Sequence, residues 1–336
     1  MKKLDVLYTT NQKYRNIMLA SILSVIKNSR MEELDIHIIT SGFQKEDYKV
    51  VEEILGKYPN VKAYYYPMEE FDISSFGIPD FRNTQVANAR LFFQSIMKEK
   101  MKKMDNLLYL DADTIVKGDL NDLSTYRECT IAAVRDNIKK STALTRGSAV
   151  YYNSGVLFIN VEKWIEEGRE QDIIEETLRP HRNLKFPDQD ILNLAFQGKI
   201  TDLHPKYNVT PYEFLFRDKE RKLFFDKRCQ RTLEEIEESR KDPKIIHACG
   251  LGSIKPWTDN SINPFNEDYR EFLRMIEEDY PLDDLNKFQQ FLNDHTSFTR
   301  KMVLYRTFFP DSLNELLSKV SIRLQGREST QKCKKM

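Results

Sequence analysis

Long apolar runs are missing from this chain: no stretch reaches the roughly 18 apolar residues that a membrane span needs. A secretory leader is also not legible. The opening MKKLDVLYTT has the lysines of one but no apolar core, because Asp5 interrupts it and Thr9, Thr10 and Asn11 follow at once. The expectation is a chain that starts with a strand and works in the cytoplasm. Cysteine is scarce, and Cys129, Cys229, Cys249 and Cys333 form no CxxC pair or other zinc spacing. Free thiols in a reducing compartment fit that count. An excess of one charge is absent too: Lys+Arg and Asp+Glu both total 52, so the overall balance gives no nucleic-acid signal. Internal repeats and low-complexity linkers are not seen. What remains is an ordinary globular composition, 40% hydrophobic and 31% charged over 336 residues, enough for one large domain or two smaller ones.

Strand and helix patterns alternate along the first third. Strands read at 4–8 (LDVLY), 34–39 (LDIHII) and 61–66 (VKAYYY), with helices at 14–27 and 44–57 between them. A long helix is expected over 84–104, with Val86, Leu91, Phe92, Ile96 and Met97 inward, and then a strand at 106–110. This order implies βαβ units, an α/β fold and a mostly parallel central sheet. Later strands read at 131–134, 156–161 and 244–247, with a helix at 188–197, and the charged stretch 217–243 reads as a solvated surface helix with its flanks. The catalytic-looking part spans 1–265. The remainder, 266–336, reads as a helical extension whose last part, 296–336, has nine basic groups against three acids. Leu313, Leu316, Leu317, Val320 and Leu324 form one helical stripe there, a pattern that suits either an anionic membrane surface or docking on the chain's own domain.

The stretch NLLYLDADTIVKGDL, residues 106–120, carries the sharpest signal. An apolar strand ends on Asp111 and Asp113, and in open α/β sheets ligands bind beyond the carboxyl ends of the strands. Two acids one residue apart can offer several hard oxygens to Mn²⁺ or Mg²⁺. Without a cation they would repel, and one pKa would rise. Capping or turn acids are the bland alternative. The string also resembles the first motif of haloacid dehalogenase-like phosphatases, in which Asp111 would be a nucleophile and Asp113 a general acid/base. That family's motif normally sits near the start, however, and the late pair Asp283-Asp284 follows Pro281 rather than an apolar strand.

Five blocks in order carry a stronger resemblance: LYTTN at 7–11 with Tyr14, YLDADT at 109–114, NSGVLFIN at 153–160, DQDILN at 188–193, and HACGLGSIKPW at 247–257. Together they resemble glycosyltransferase family 8, over roughly residues 4–260. The resemblance implies a GT-A fold, Rossmann-like in its nucleotide-sugar site, with a UDP-hexose donor (galactose or glucose), Mn²⁺ (Mg²⁺ as the alternative) and retention at the anomeric carbon. It implies Asp111, Asp113 and His247 as metal ligands. Thr9, Thr10, Asn11 and Tyr14 would meet the uracil. Arg90, Asp111, Ala112, Asn153, Gly250 or Gly252, and Lys255 would hold the rest of the donor. Asp188, Gln189 and Asp190 would form the catalytic group, with Asp188 on a sugar hydroxyl, Gln189 near the anomeric carbon and Asp190 the better nucleophile if a covalent intermediate forms.

Read alone, LYTTN starts a turn, Asn-Ser-Gly precedes a strand, and Asp188 after Pro187 caps a helix. The loop from His247 to Lys255 is longer than the family's compact H-x-x-G-x-x-K-P-W. The acceptor expected from the family and the basic tail is a cell-surface glycan or its lipid-linked precursor, handled by an enzyme peripheral to the inner face of the plasma membrane. A glycogenin-like self-glucosylating enzyme is the nearer alternative.

Overall fold

The computed structural model describes residues 2–79, 85–147, 150–180, 184–228, 231–249, 255–258, 261–282, 290, 294 and 296–305. The leucine stripe of the tail, Gly250 and Gly252 lie outside these residues. The chain opens with β1 (Lys3–Asn11), α1 (Arg15–Asn28), β2 (Glu33–Ser41), α2 (Lys45–Leu55) and β3 (Val61–Pro67). Next come α3 (Phe93–Met97), β4 (Asn106–Leu110), β5 (Thr114–Val116), β6 (Ile131–Arg135), α4 (Lys140–Thr145) and β7 (Tyr152–Asn160). They are followed by α5 (Val161–Glu166), α6 (Arg169–Thr177), α7 (Pro187–Ala195), β8 (Thr201–Asp202) and α8 (Tyr212–Leu215). α9 (Asp218–Arg228), α10 (Leu233–Lys241), β9 (Ile245–His247), α11 (Asn266–Ile276) and a helix over Thr296–Tyr305 complete the described elements.

Seven strands form one sheet in the order β3-β2-β1-β4-β7-β6-β8. The pairs β1–β2, β2–β3, β1–β4 and β6–β8 are parallel, while β7 runs antiparallel to both β4 and β6. This is the mostly parallel α/β sheet that the sequence implies. Strand order reverses at β1/β4, and that switch point opens a crevice at the strands' carboxyl ends. The pleat sends alternate residues to two cores. Val6, Tyr8, Leu108 and Leu110 join α1, β5, β9 and α11 on one face, while Leu7, Leu107 and Tyr109 join α3, α5 and α7 on the other. Phe265, Tyr269, Phe272 and Leu273, at the start of α11 and within it, belong to the first core.

Three elements differ from the sequence expectation. The long helix over 84–104 is broken into a 3-10 helix at Asn88–Phe92, the short α3 and a second 3-10 helix at Lys98–Lys103. Lys98 takes φ +46°, and the Asn88 side chain bonds Pro79 O and Gln85, which diverts the chain from regular helix. The charged stretch 217–243 is two helices, not one solvated helix. Phe224, Phe225 and Ile236 are buried with Phe216 and with Leu304 of the last helix, which Arg300 also ties to Glu220 at 2.8 Å. The strand ending on His247 leaves the main sheet altogether and pairs antiparallel with β5. No helix among the described residues is long and apolar enough to cross a membrane.

Candidate active site

The β5–β9 pair assembles the site. Asp111 and Asp113 lie in the loop between β4 and β5, and the register sets Thr114 opposite His247. Asp113 O then accepts from Ala248 N at 2.9 Å, which closes the pairing. The result brings the imidazole to the acids: His247 Nε2 is 3.3 Å from Asp113 Oδ1 and 3.6 Å from Asp111 Oδ2. One ligand atom from each of Asp111, Asp113 and His247 lies within 4.8 Å of the others, so the three can hold one ion. The other ring nitrogen, Nδ1, is 3.0 Å from Asn208 Oδ1, which fixes the ring with Nε2 toward the acids. Asn208 in turn donates to Asn153 Oδ1 at 2.8 Å.

Gly155 lies opposite Asp111 across the β4–β7 ladder, where its carbonyl accepts from Asp111 N at 2.8 Å. A Cβ there would stand 2.3 Å from His247 Cε1 and 2.7 Å from Asp111 Oδ2. Only glycine lets the strand pass this close to His247 and Asp111. That tight approach, the oriented imidazole and a donor set of two hard oxygens and one imidazole nitrogen all fit a divalent ion such as Mn²⁺.

The charges are balanced from several sides. Lys255 Nζ is 3.1 Å from Asp113 Oδ2 and lies over the Trp257 ring at 5.1 Å. Burial alone would raise Asp113, but Lys255 and His247 beside it hold it far below the usual carboxylate range. Burial opposes charge on His247, yet Cys249 and Asp113 beside it bring its pKa well above the ordinary value. Arg90, 7% exposed, bonds Asp111 Oδ1 at 2.8 Å and Asp188 Oδ2 at 3.2 Å. It is a buried clamp rather than a surface ion pair.

A second group, Asp5, Asp35 and His37, offers a contrast at the other end of the strands. There Lys3 bridges both acids at 3.4 and 3.0 Å, and His37 has Asp5 at 3.0 Å on Nε2 and Tyr66 OH at 3.1 Å on Nδ1. That group already contains its cation.

Helix α7 supplies the far wall. Asn193 fastens it to β7 by accepting from Tyr152 N at 2.6 Å and donating to Tyr152 O at 2.8 Å. Asp188 then accepts from Ser154 Oγ at 3.0 Å, and burial lifts its pKa above the ordinary value against the pull of Arg90. Gln189 Oε1 accepts from Ser154 N at 3.0 Å, while its Nε2 donates to Asp136 Oδ2 at 2.6 Å. The N-cap residue, Phe186, makes no side-chain cap, and Asp190 instead holds the segment that enters the helix. Asp190 Oδ2 accepts from Lys185 N and Phe186 N, while Oδ1 takes Tyr151 OH and Arg146 Nη1.

At the end of β1, Asn11 Oδ1 caps the turn that follows by accepting from Tyr14 N at 3.2 Å. Tyr14 packs edge-on against Trp257 with centroids 5.8 Å apart. Thr10 is 2% exposed and donates to Asn11 O, Thr9 Oγ1 lies 2.9 Å from Tyr109 OH, and Ala112 is buried in the first core.

Sequence reasoning passed over Tyr109, Asp136, Ser154 and Asn208. Asp136 carried a usable signal, an acid one residue past a strand's carboxyl end, as Asp111 is. Asn208 carried none, because only the tertiary fold brings it to His247. Asp136 is also braced: its neighbour Asn137 bonds Thr210 at 2.8 Å and the buried Arg231 at 2.6 Å.

A mostly parallel α/β sheet with paired acids and a histidine at its switch point is the arrangement of a GT-A fold. The sequence model described as "Glycosyl transferase family 8" matches residues 5–261, and the chain belongs to that family. It is 26% identical over 276 residues to general stress protein A of Bacillus subtilis, covering 76% of this chain and 87% of that protein. To a lipopolysaccharide 1,2-glucosyltransferase of Escherichia coli it is 26% identical over 269 residues, covering 76% and 73%. Among solved structures, the galactosyltransferase LgtC with donor and acceptor sugar analogs aligns with TM-score 0.61 at 20% identity, covering 85% of this chain and 99% of that one. The bifunctional glycosyltransferase WbbM aligns with TM-score 0.64 at 22% identity, covering 81% of this chain and half of that one. These structural likenesses establish the fold.

Proposed function

We propose that the protein moves a hexosyl group, galactose or glucose, from a UDP donor to a hydroxyl of a cell-surface glycan or its lipid-linked precursor, with retention of configuration and with Mn²⁺ as the preferred ion. The convergence of Asp111, Asp113, His247 and Lys255 carries this reading, because with a divalent ion bound it would make one cationic locus for a diphosphate. Names among the relatives, such as the lipopolysaccharide 1,2-glucosyltransferase, support a glycan acceptor of that kind.

When bound, the ion would act as a Lewis acid on the departing diphosphate. Lys255 adds positive charge where negative charge develops. Asn153, Asp188 and Gln189 line the space for the sugar, and Asp136 and Ser154 hold the Gln189 amide in one orientation. Thr10, Asn11 and Tyr14 would border the base. The C1–O bond breaks with oxocarbenium character. Asp190, with four donors on its carboxylate, is poorly placed to act as a nucleophile, and this favours front-face attack, in which the leaving phosphate oxygen takes the acceptor's proton. Residues 296–336 would bring the enzyme to an anionic membrane. Of these, Lys301 and Tyr305 are exposed on the docked helix.

The test is UDP release from a panel of UDP-sugars, with and without Mn²⁺. One hexose donor should be hydrolysed slowly, only with the metal, and without labelling the protein itself. No turnover of any donor at any metal concentration would defeat the reading, and self-labelling would move it to the glycogenin-like alternative.

A further inference from the structure

Asp111 has two oxygens with different duties. Oδ2 faces His247 Nε2, whereas Oδ1 accepts from Tyr109 OH at 2.7 Å and forms an ion pair with Arg90 Nη1 at 2.8 Å. An ionised carboxylate only accepts, so the Tyr109 proton points to Asp111. Thr9 Oγ1, 2.9 Å away, must then be the donor to the Tyr109 oxygen. The order is fixed: Thr9 to Tyr109 to Asp111. Tyr109 is 1% exposed, and its ring lies under the Arg90 guanidinium at 4.7 Å, so neither group beside Oδ1 can swing away.

We propose that Tyr109 is a positioning residue for the metal centre and Thr9 its anchor. The Tyr109 hydroxyl and the Arg90 charge hold Oδ1, so Asp111 offers a divalent ion Oδ2 alone. Thr9, at the end of β1 where a base contact was expected, therefore acts on the ion rather than on the nucleotide. This rests on the reading of Asp111, Asp113 and His247 as a metal site.

The chemistry of such outer groups sets the expected size. Removing a partner that orients a ligand lowers metal affinity by about 10–100-fold. Tyr109→Phe keeps the ring and its packing and removes only the hydroxyl. Thr9→Val keeps the shape and removes the anchor. Mn²⁺ would be titrated by electron paramagnetic resonance in the presence of saturating UDP, with UDP affinity measured separately in chelator and melting temperature followed for each variant.

Tyr109→Phe should weaken Mn²⁺ by that factor and broaden the bound-ion spectrum, as Asp111 gains freedom to bind through either or both oxygens. Thr9→Val should shift Mn²⁺ in the same direction and leave metal-free UDP affinity unchanged. Wild-type Mn²⁺ affinity and line shape in Tyr109→Phe, beside a wild type that binds the ion, would overturn the proposal and spare the metal site. A Thr9→Val variant that loses metal-free UDP affinity but keeps Mn²⁺ would overturn the anchor. A wild type that binds no Mn²⁺ with UDP would overturn the proposal and the metal-site reading together.

Discussion

Asp113→Ala should lower donor turnover by about three orders of magnitude. Asp113 would give one of the three ligand atoms, and it also pairs with Lys255 at 3.1 Å. Lewis-acid stabilisation of a leaving group is worth several kcal/mol, and each 1.36 kcal/mol is about tenfold in rate. The substitution acts at the site rather than on the cores, since the Asp113 side chain is 17% exposed and packs in neither. The cores stay packed and the fold should persist, with some melting temperature lost as Lys255 and His247 lose their partner, while the rate collapses. His247 also loses a carboxylate that raises its pKa, so its proton should leave at lower pH than in the wild type. The check is the initial rate of UDP release at saturating donor and Mn²⁺. A rate within tenfold of wild type contradicts the assignment.

Arg90→Met should both unfold the protein more easily and abolish transfer. Methionine fills much of the same space but leaves Asp111 and Asp188 without their shared cation. Breaking a buried pair by removing one partner costs about 3–5 kcal/mol, and the 22% exposure of the Asp111 side chain places this case toward the lower end. The sign of the pH dependence follows from Asp188. Burial already raises its folded pKa, and loss of Arg90 raises it further. The folded state then binds more protons than the unfolded state, so stability falls as pH rises through the raised pKa. Urea unfolding should show a larger deficit against wild type at pH 8 than at pH 5. An unchanged deficit across that range would mean that Asp188 does not take up the charge.

The ends of strands were the most legible part of the chain. LYTTN closes β1, YLDADT leaves β4, and KIIH closes β9 on the histidine, because short apolar runs mark strands and polar residues mark where they stop. Sheet geometry then places those ends together without further information. The breaks in 84–104 were not legible: Val86, Leu91, Phe92, Ile96 and Met97 keep helical spacing whether the backbone is regular or broken, and the Asn88 bonds that divert it depend on Pro79 in space. The pairing of β9 with β5 was hidden for a similar reason, since an apolar run does not name its partner. The same limit concealed Asn208. The stretch 217–243 misled in another way: its charges dominate the composition, while Phe224, Phe225 and Ile236 decide the packing.

The central claim is that Asp111, Asp113 and His247 hold one divalent ion against a nucleotide diphosphate. Anomalous diffraction from crystals grown with Mn²⁺ and UDP tests it most directly. The account predicts one peak within coordination distance of Asp111 Oδ2, an Asp113 oxygen and His247 Nε2, with the diphosphate between that peak and Lys255. A diphosphate bound elsewhere, or bound there with no peak among the three side chains, would contradict it.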